Sequence, residues 1–385
     1  MKTPARLAVI LAAAAGGVTA LAGPALAGPA SAGPELAGPE LAGPGHNGGA
    51  VFVATDGTDG NAVVAYDSAL HQKGTYSTGG KGGVLNGSVA DHVASQGALT
   101  LDRAHNLLYA VNAGSDTLTV FGVHGDRLSP QQVISTGGAF PVSVTSHGDA
   151  VYVLNARDGG SIQGYLRLGS RLVKVASWHR KLNLPITTDT GEFTHTPGQI
   201  AFTPDGSRLI VTTKASTSAV DVFGVDRLGG PSAEPTTTVL DGAVPFAVDF
   251  DSAGRLVVAE AGPNAVASFT IGHSGKLTPV SSVATGQAAT CWIAGADGVF
   301  YASNAGSGSV TAVKDSHGKL TGQGNTATAA GSVDAATSPS GNRLYVRGGA
   351  TGALVSFAIG RGGALTPLAS VTVPNSAGAE GIAVS

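Results

Sequence analysis

The chain has 385 residues with 22 Lys and Arg against 25 Asp and Glu, a formal net charge of −3. No basic patch stands out, which argues against a nucleic-acid partner. Gly 58, aromatics at 5% and charged residues at only 12% suit thin strands joined by many tight turns. The single Cys291 excludes an internal disulfide, and its apolar surroundings mark it as a buried, inert thiol.

The N-terminus begins with Lys2 and Arg6, followed by an apolar run over 7–22 that closes on Ala20-Leu21-Ala22. A charged start, a short apolar core and a small-residue cleavage site together read as a secretory signal peptide over 1–22. Ala25-Leu26-Ala27 offers a second cut. The apolar run is short of the roughly 20 residues a membrane span requires, which favours cleavage over an uncleaved anchor. From Leu21 a Leu-Ala-Gly-Pro pentad recurs, with Ser31 replacing Leu once. Its Pro and Gly content disfavours helix and sheet alike, so 23–49 reads as a disordered linker, either a cell-wall tether or low-complexity drift. These segments predict a secreted, extracellular protein, free of the membrane after cleavage and monomeric.

From Ala50 onward, short apolar runs of period two are cut by Pro, Asp and Gly. The clearest is 197–226, where Pro204-Asp205-Gly206 separates an alternating strand from the β-branched run 208–212, and a third strand follows at 219–225. Copies of this meander align on a second-strand centre at Phe52, Tyr109, Tyr152, Ile210, Val257, Tyr301 and Tyr345. Their spacing, about 45 residues where nothing is inserted, indicates a β-propeller with four strands per blade. Insertions fall within 68–94 and 178–195. Inner strands are expected at 98–102, 142–146, 199–203, 246–251, 291–295 and 333–338, ahead of the second strands of blades two to seven. Blade one has none before it, while 380–385 looks like an inner strand with nothing after it. The sequence therefore predicts an all-β domain over 50–385, a seven-bladed β-propeller whose C-terminal strand completes blade one and closes the ring.

Common catalytic signatures are missing: no Gly-x-Ser-x-Gly elbow, no His-Glu-x-x-His, no Cys-x-x-Cys and no phosphate-binding Gly-Lys-Ser/Thr loop. Asp56-Gly-Thr-Asp59-Gly-Asn61 resembles a calcium loop but lacks the terminal acidic ligand, and a Gly-rich hairpin turn explains it as well. No metal or cofactor is expected.

In a propeller, inner strands begin and second strands end on the same face. Three residues past each centre stand Thr55, Asn112, Asn155, Thr213, Glu260, Asn304 and Gly348, expected at the rim of the channel mouth. Arg157 and Lys214 follow just outward, His195 precedes blade four's inner strand, and Arg347 lies across the channel. Arg157, Lys214 and Arg347 suit an anionic ligand, with Asn112 and Asn304 as neutral contacts, while Glu260 or His195 suits general acid–base work. Against this, Asn and Thr also stabilise tight turns by bonding their own backbone. Arg157 and Lys214 could equally be solvated surface charges.

With these residues in view, the domain resembles the seven-bladed lactonase-type propeller family, which includes bacterial 6-phosphogluconolactonase-like proteins and fungal carboxymuconate lactonising enzymes. The resemblance rests on Pro197-Gly-Gln-Ile-Ala-Phe-Thr-Pro-Asp-Gly-Ser-Arg-Leu-Ile-Val-Thr212, on the matching turn in Thr337-Ser-Pro-Ser-Gly-Asn-Arg-Leu-Tyr345, and on the Leu-Thr-Pro runs at 277–279 and 365–367. Leu108-Tyr-Ala-Val-Asn112 is similar to the Tyr-Val-Thr-Asn repeat of surface proteins. The resemblance implies metal-free opening or closing of a lactone on a small carboxylated or phosphorylated compound. Family members often carry a His-x-His pair ahead of the Pro-Asp-Gly strand. Here those positions are Thr196 and Gly198, with His195 one place earlier, so the implied catalytic roles fall only to His195 and, by ring position, to Glu260. Two functions follow: an exported lactonase-like enzyme, or a non-catalytic propeller that holds a glycan, peptide or cell-wall ligand on its funnel face.

Overall fold

The computed structural model describes Gly49–Ser385; the expected signal peptide and all but the last residue of the expected linker lie outside the described residues. Second strands are buried on both faces and so run almost continuously apolar, as in Leu107–Asn112 and Leu256–Glu260. Outermost strands show one face to solvent and alternate, as in Leu277–Ala284 and Leu365–Thr372. Gly206 (φ 68°) makes the turn between blade four's first two strands, and Asp205 secures it by accepting from Thr203 Oγ1 at 2.6 Å and from the Ser207 amide at 3.1 Å.

Seven antiparallel four-stranded sheets result. Every second-strand centre from Phe52 to Tyr345 lies within a second strand and is buried. The ring closes as expected. Ile382–Val384 is the inner strand of blade one and pairs with Val51–Ala54 in the register Val51↔Val384, Phe52↔Ala383, Val53↔Ile382. Large side chains wedge between neighbouring blades, as where Tyr152 stacks on Trp178 and meets Phe202 edge-on.

The two insertions decide what the funnel face looks like. The first occupies 78–98, between blade one's outermost strand Gln72–Ser77 and blade two's inner strand Leu99–Asp102. The second occupies 182–199, between Arg171–Lys181 and Ile200–Phe202, and holds the short helix Glu192–His195. Residues 91–96 of the first insertion bridge opposite blades. The Ser95 hydroxyl donates to Val142 O in blade three at 2.7 Å, Trp292 Nε1 of blade six donates to Ser95 O at 2.6 Å, and Gln96 exchanges two 2.9 Å bonds with the Ile293 backbone. A segment tied to blades three and six at once lies across the channel mouth. The second insertion docks on the first so closely that a Cβ on Gly87 (φ 84°) would stand 1.9 Å from Thr190 O, which only glycine tolerates.

Candidate functional site

This covering layer corrects the picture of an open rim. Asn112 and Asn304 are fully buried and their polar atoms are consumed at home. Asn112 donates to Thr117 and Thr119 and accepts from Asn61, and Asn304 donates to Ser309 and Thr311 and accepts from Thr290. They are spent on the turns around them, Asn112 also joining blade two to Asn61 of blade one, and offer no atom to a ligand.

Lys214 is buried beneath both insertions. Its Nζ donates to Ala94 O at 2.7 Å, Phe193 O at 2.5 Å and Thr196 Oγ1 at 2.9 Å. All three ammonium donors are thereby used, and the lysine clamps one insertion to the other. Burial pushes it down to about 7, against the opposing pull of the Asp91 carboxylate.

Arg347 is likewise buried. It donates to Ala54 O at 3.1 Å and Ala379 O at 3.4 Å, and burial lowers it to about 10 while Asp334 and Glu380 hold it up. Neither cation reaches solvent, because residues that a strand count places at the rim are covered by segments the count does not see.

Asp56 and Asn61 of the calcium-like loop bond locally, with Asn61 Oδ1 accepting the Asp56 amide at 2.9 Å. Among the described residues no cluster of three or more His, Cys, Asp or Glu is arranged to hold a metal ion. Cys291 is buried, and burial pushes its thiol up to about 12.

Arg157 and His195 are brought together. They line one cavity of about 270 Å³ on the funnel face, walled by the second insertion and by the turn after blade three's second strand. The Arg157 guanidinium lies 4.3 Å above the Phe140 ring and grips Glu192 in a fork, Nε to Oε1 at 2.7 Å and Nη2 to Oε2 at 3.1 Å. Burial works against the Glu192 carboxylate, but Arg157 and the Asn86 amide (2.7 Å) outweigh it and hold Glu192 below its ordinary value. Among the described residues Arg157 Nη1 has no hydrogen-bond partner. His195 Nδ1 stands 2.9 Å from both Gly191 O and Thr194 Oγ1; with the Thr194 hydroxyl donating to Gly191 O, a carbonyl that can only accept, we assign the proton to Nδ1 and the lone pair to Nε2, which has no partner among these residues.

Glu192 and Asn86 escaped the sequence reading. Glu192 had a signal, since a carboxylate three residues ahead of His195 is one helical turn away. Asn86 had none, because its place depends on how two insertions meet.

Glu260 is not part of this cavity. It lines a separate cleft beside blades four and five, has no hydrogen-bond partner among the described residues, and burial alone raises it to about 7. A raised carboxyl favours folding while protonated, so this contribution is complete below the ordinary carboxylate range and is lost as the pH climbs through about 7. Glu260→Gln should therefore melt above the parent protein at about pH 8.5, with the gap closing below about pH 5. Thermal melts at the two pH values check this.

No protein-family model matches the chain, and no curated protein matches it in sequence. Solved structures do. The periplasmic gluconolactonase of Pseudomonas aeruginosa superposes with a TM-score of 0.69 at 17% identity, over 87% of this chain and 98% of that one. A putative 6-phosphogluconolactonase from Bacteroides fragilis gives 0.67 at 18%, over 88% and 98%. The virginiamycin B lyase of Staphylococcus aureus gives 0.54 at 13%, over 75% and 88%, so different chemistries sit on this architecture. Among the described residues no helix is long and apolar enough to cross a membrane. At such identities the likeness is one of fold: this chain is a seven-bladed β-propeller resembling the 6-phosphogluconolactonase-type structures.

Proposed function

We propose that the chain is an exported lactonase-like enzyme that opens a small anionic lactone without a metal, and that the Arg157–His195 cavity is its active site. One observation carries the reading: His195, whose Nε2 has no partner among the described residues, and Arg157, whose Nη1 has none, line the same 270 Å³ space, which accommodates a single lactone ring. Arg157 Nη1 holds the substrate's carboxylate or phosphate. His195 Nε2 takes a proton from water as the water oxygen attacks the lactone carbonyl carbon. The tetrahedral intermediate then collapses, the acyl carbon–ring oxygen bond breaks, and the imidazolium returns its proton to the ring oxygen, leaving a hydroxy acid. Glu192 fixes the guanidinium and is a positioning residue.

The test is a panel of sugar and aliphatic lactones followed by proton release. On a lactone that is turned over, His195→Ala should lower kcat/KM by roughly 10²–10⁴-fold with an unchanged melting temperature. The double variant Arg157→Gln/Glu192→Gln, which removes both charges of the pair, should mainly raise KM, by roughly tenfold or more. Full activity in His195→Ala refutes the assignment. The neutralisation of Arg157 by Glu192 favours a second reading, in which the funnel face binds a glycan, peptide or cell-wall ligand without turning it over. Ligand binding with no lactone hydrolysed would select that reading.

A further inference from the structure

We infer that the cleft beside blades four and five is a second ligand site, built for an organic ammonium ion with an apolar body. The cleft has a volume of about 800 Å³, and blade four's outermost strand flanks it. That strand, Thr236–Val239, is the shortest outermost strand in the ring; its counterparts in blades five and six are Leu277–Ala284 and Lys319–Ala327. Leu240, Pro263, Phe269 and Leu277 supply apolar wall.

The polar feature that calls for a ligand is Glu260. At the equivalent place five of the other blades set Thr55, Asn112, Asn155, Thr213 and Asn304, each hydrogen-bonded at its own turn, and blade seven sets Gly348. Blade five sets a carboxylate there instead. It is 8% exposed, lines the cleft and has no hydrogen-bond partner among the described residues. A fold that needed only a turn cap is served by Asn or Thr; this carboxylate instead opens onto the cleft with no protein group to bond, in a setting whose burial disfavours its charged form until a cation meets it. The one other titratable residue lining the cleft is the exposed Asp241, also an acid, and no Lys, Arg or His lines it. A cation is therefore attracted and an anion repelled, while the walls take an alkyl or aryl body.

Phenethylamine serves as the probe and phenylacetate as its anionic counterpart, titrated calorimetrically into the full chain at about pH 8. The amine should bind saturably and phenylacetate should not. Glu260→Gln should weaken amine binding by at least roughly tenfold, whereas His195→Ala should leave it unchanged, which separates this site from the proposed active site. In the parent protein, amine affinity should fall as the pH drops below about 7 and Glu260 takes up a proton, a readout that needs no variant. Equal binding of the two probes, no saturation by about 10 mM amine, or an affinity indifferent to both Glu260→Gln and pH would overturn the inference.

Discussion

Deleting residues 381–385 is expected to leave little or no soluble folded protein. The lost strand buries Ile382, Ala383 and Val384, and its removal bares the inner edge of Val51–Ala54. Burial of Ile and Val side chains contributes about 1.5–3 kcal/mol each. With the strand pairing and the 2.8 Å bond from the Ala50 amide to Ser385 Oγ also gone, the loss is on the order of 5 kcal/mol or more. A domain's whole stability is about 5–15 kcal/mol. Soluble yield and melting temperature are the measurements, and any surviving protein should melt roughly 10 °C or more lower. A truncated chain that melts within about 2 °C of the full one would contradict closure by this strand.

The second large effect is expected at Arg347. Its guanidinium stands among Asp334, Glu380 and Asp56, of which Glu380 also accepts the Gly97 amide at 2.9 Å and Asp334 the Ile382 amide at 3.2 Å. Arg347→Met keeps much of the volume but removes the cation facing these carboxylates. None of these carboxylates stands within ion-pair distance of the guanidinium among the described residues, so the direct cost lies in the Ala54 and Ala379 carbonyls left buried without their donor, about 1–3 kcal/mol each. Burial raises Asp334 and Glu380 above their ordinary values even with the arginine present. The sign follows from that direction: raised carboxyls favour folding while protonated, and the contribution is lost as the pH rises through their folded values. Without Arg347 they are pushed further up, so the variant's deficit should be larger at about pH 8 than at about pH 5 in denaturant titrations. A deficit that is absent, or equal at both pH values, would place the arginine outside this charge network.

The ring was legible because its signal is local. Tyr109, Tyr152 and Tyr301 sit at the centre of short apolar runs bounded by turn residues and each is buried, so counting from one to the next finds the blade without knowledge of any contact. The unpaired start at Ala50 and the unpaired end at Ser385 point to each other for the same reason. The site was legible only in part. His195 and Arg157 adjoin strands that can be counted, and they do share a cavity. Lys214 and Arg347 occupy positions that the same count puts at an open rim, yet both are buried, Lys214 against the crossing segment 91–96 and Arg347 against Ala54 and Ala379, and neither 91–96 nor the turn at Ala379 has a periodicity that says where it goes. Glu260 shows a third case. Its ring position was read correctly, but a position along a strand does not say which cavity a side chain enters, and this one lines the cleft beside blades four and five.

Export and the mature N-terminus are open to mass spectrometry of secreted protein, which should begin at or just after Gly23 or Gly28. The assignment of the insertion-walled cavity as the functional site is tested most directly by crystallography. The protein would be crystallised with the non-hydrolysable lactam counterpart of its best lactone substrate. The lactam ring should lie between Arg157 and His195, with its carbonyl carbon facing the space beside Nε2 and its anionic group on Nη1. Density for the lactam anywhere else on the propeller, with this cavity empty, would contradict the assignment.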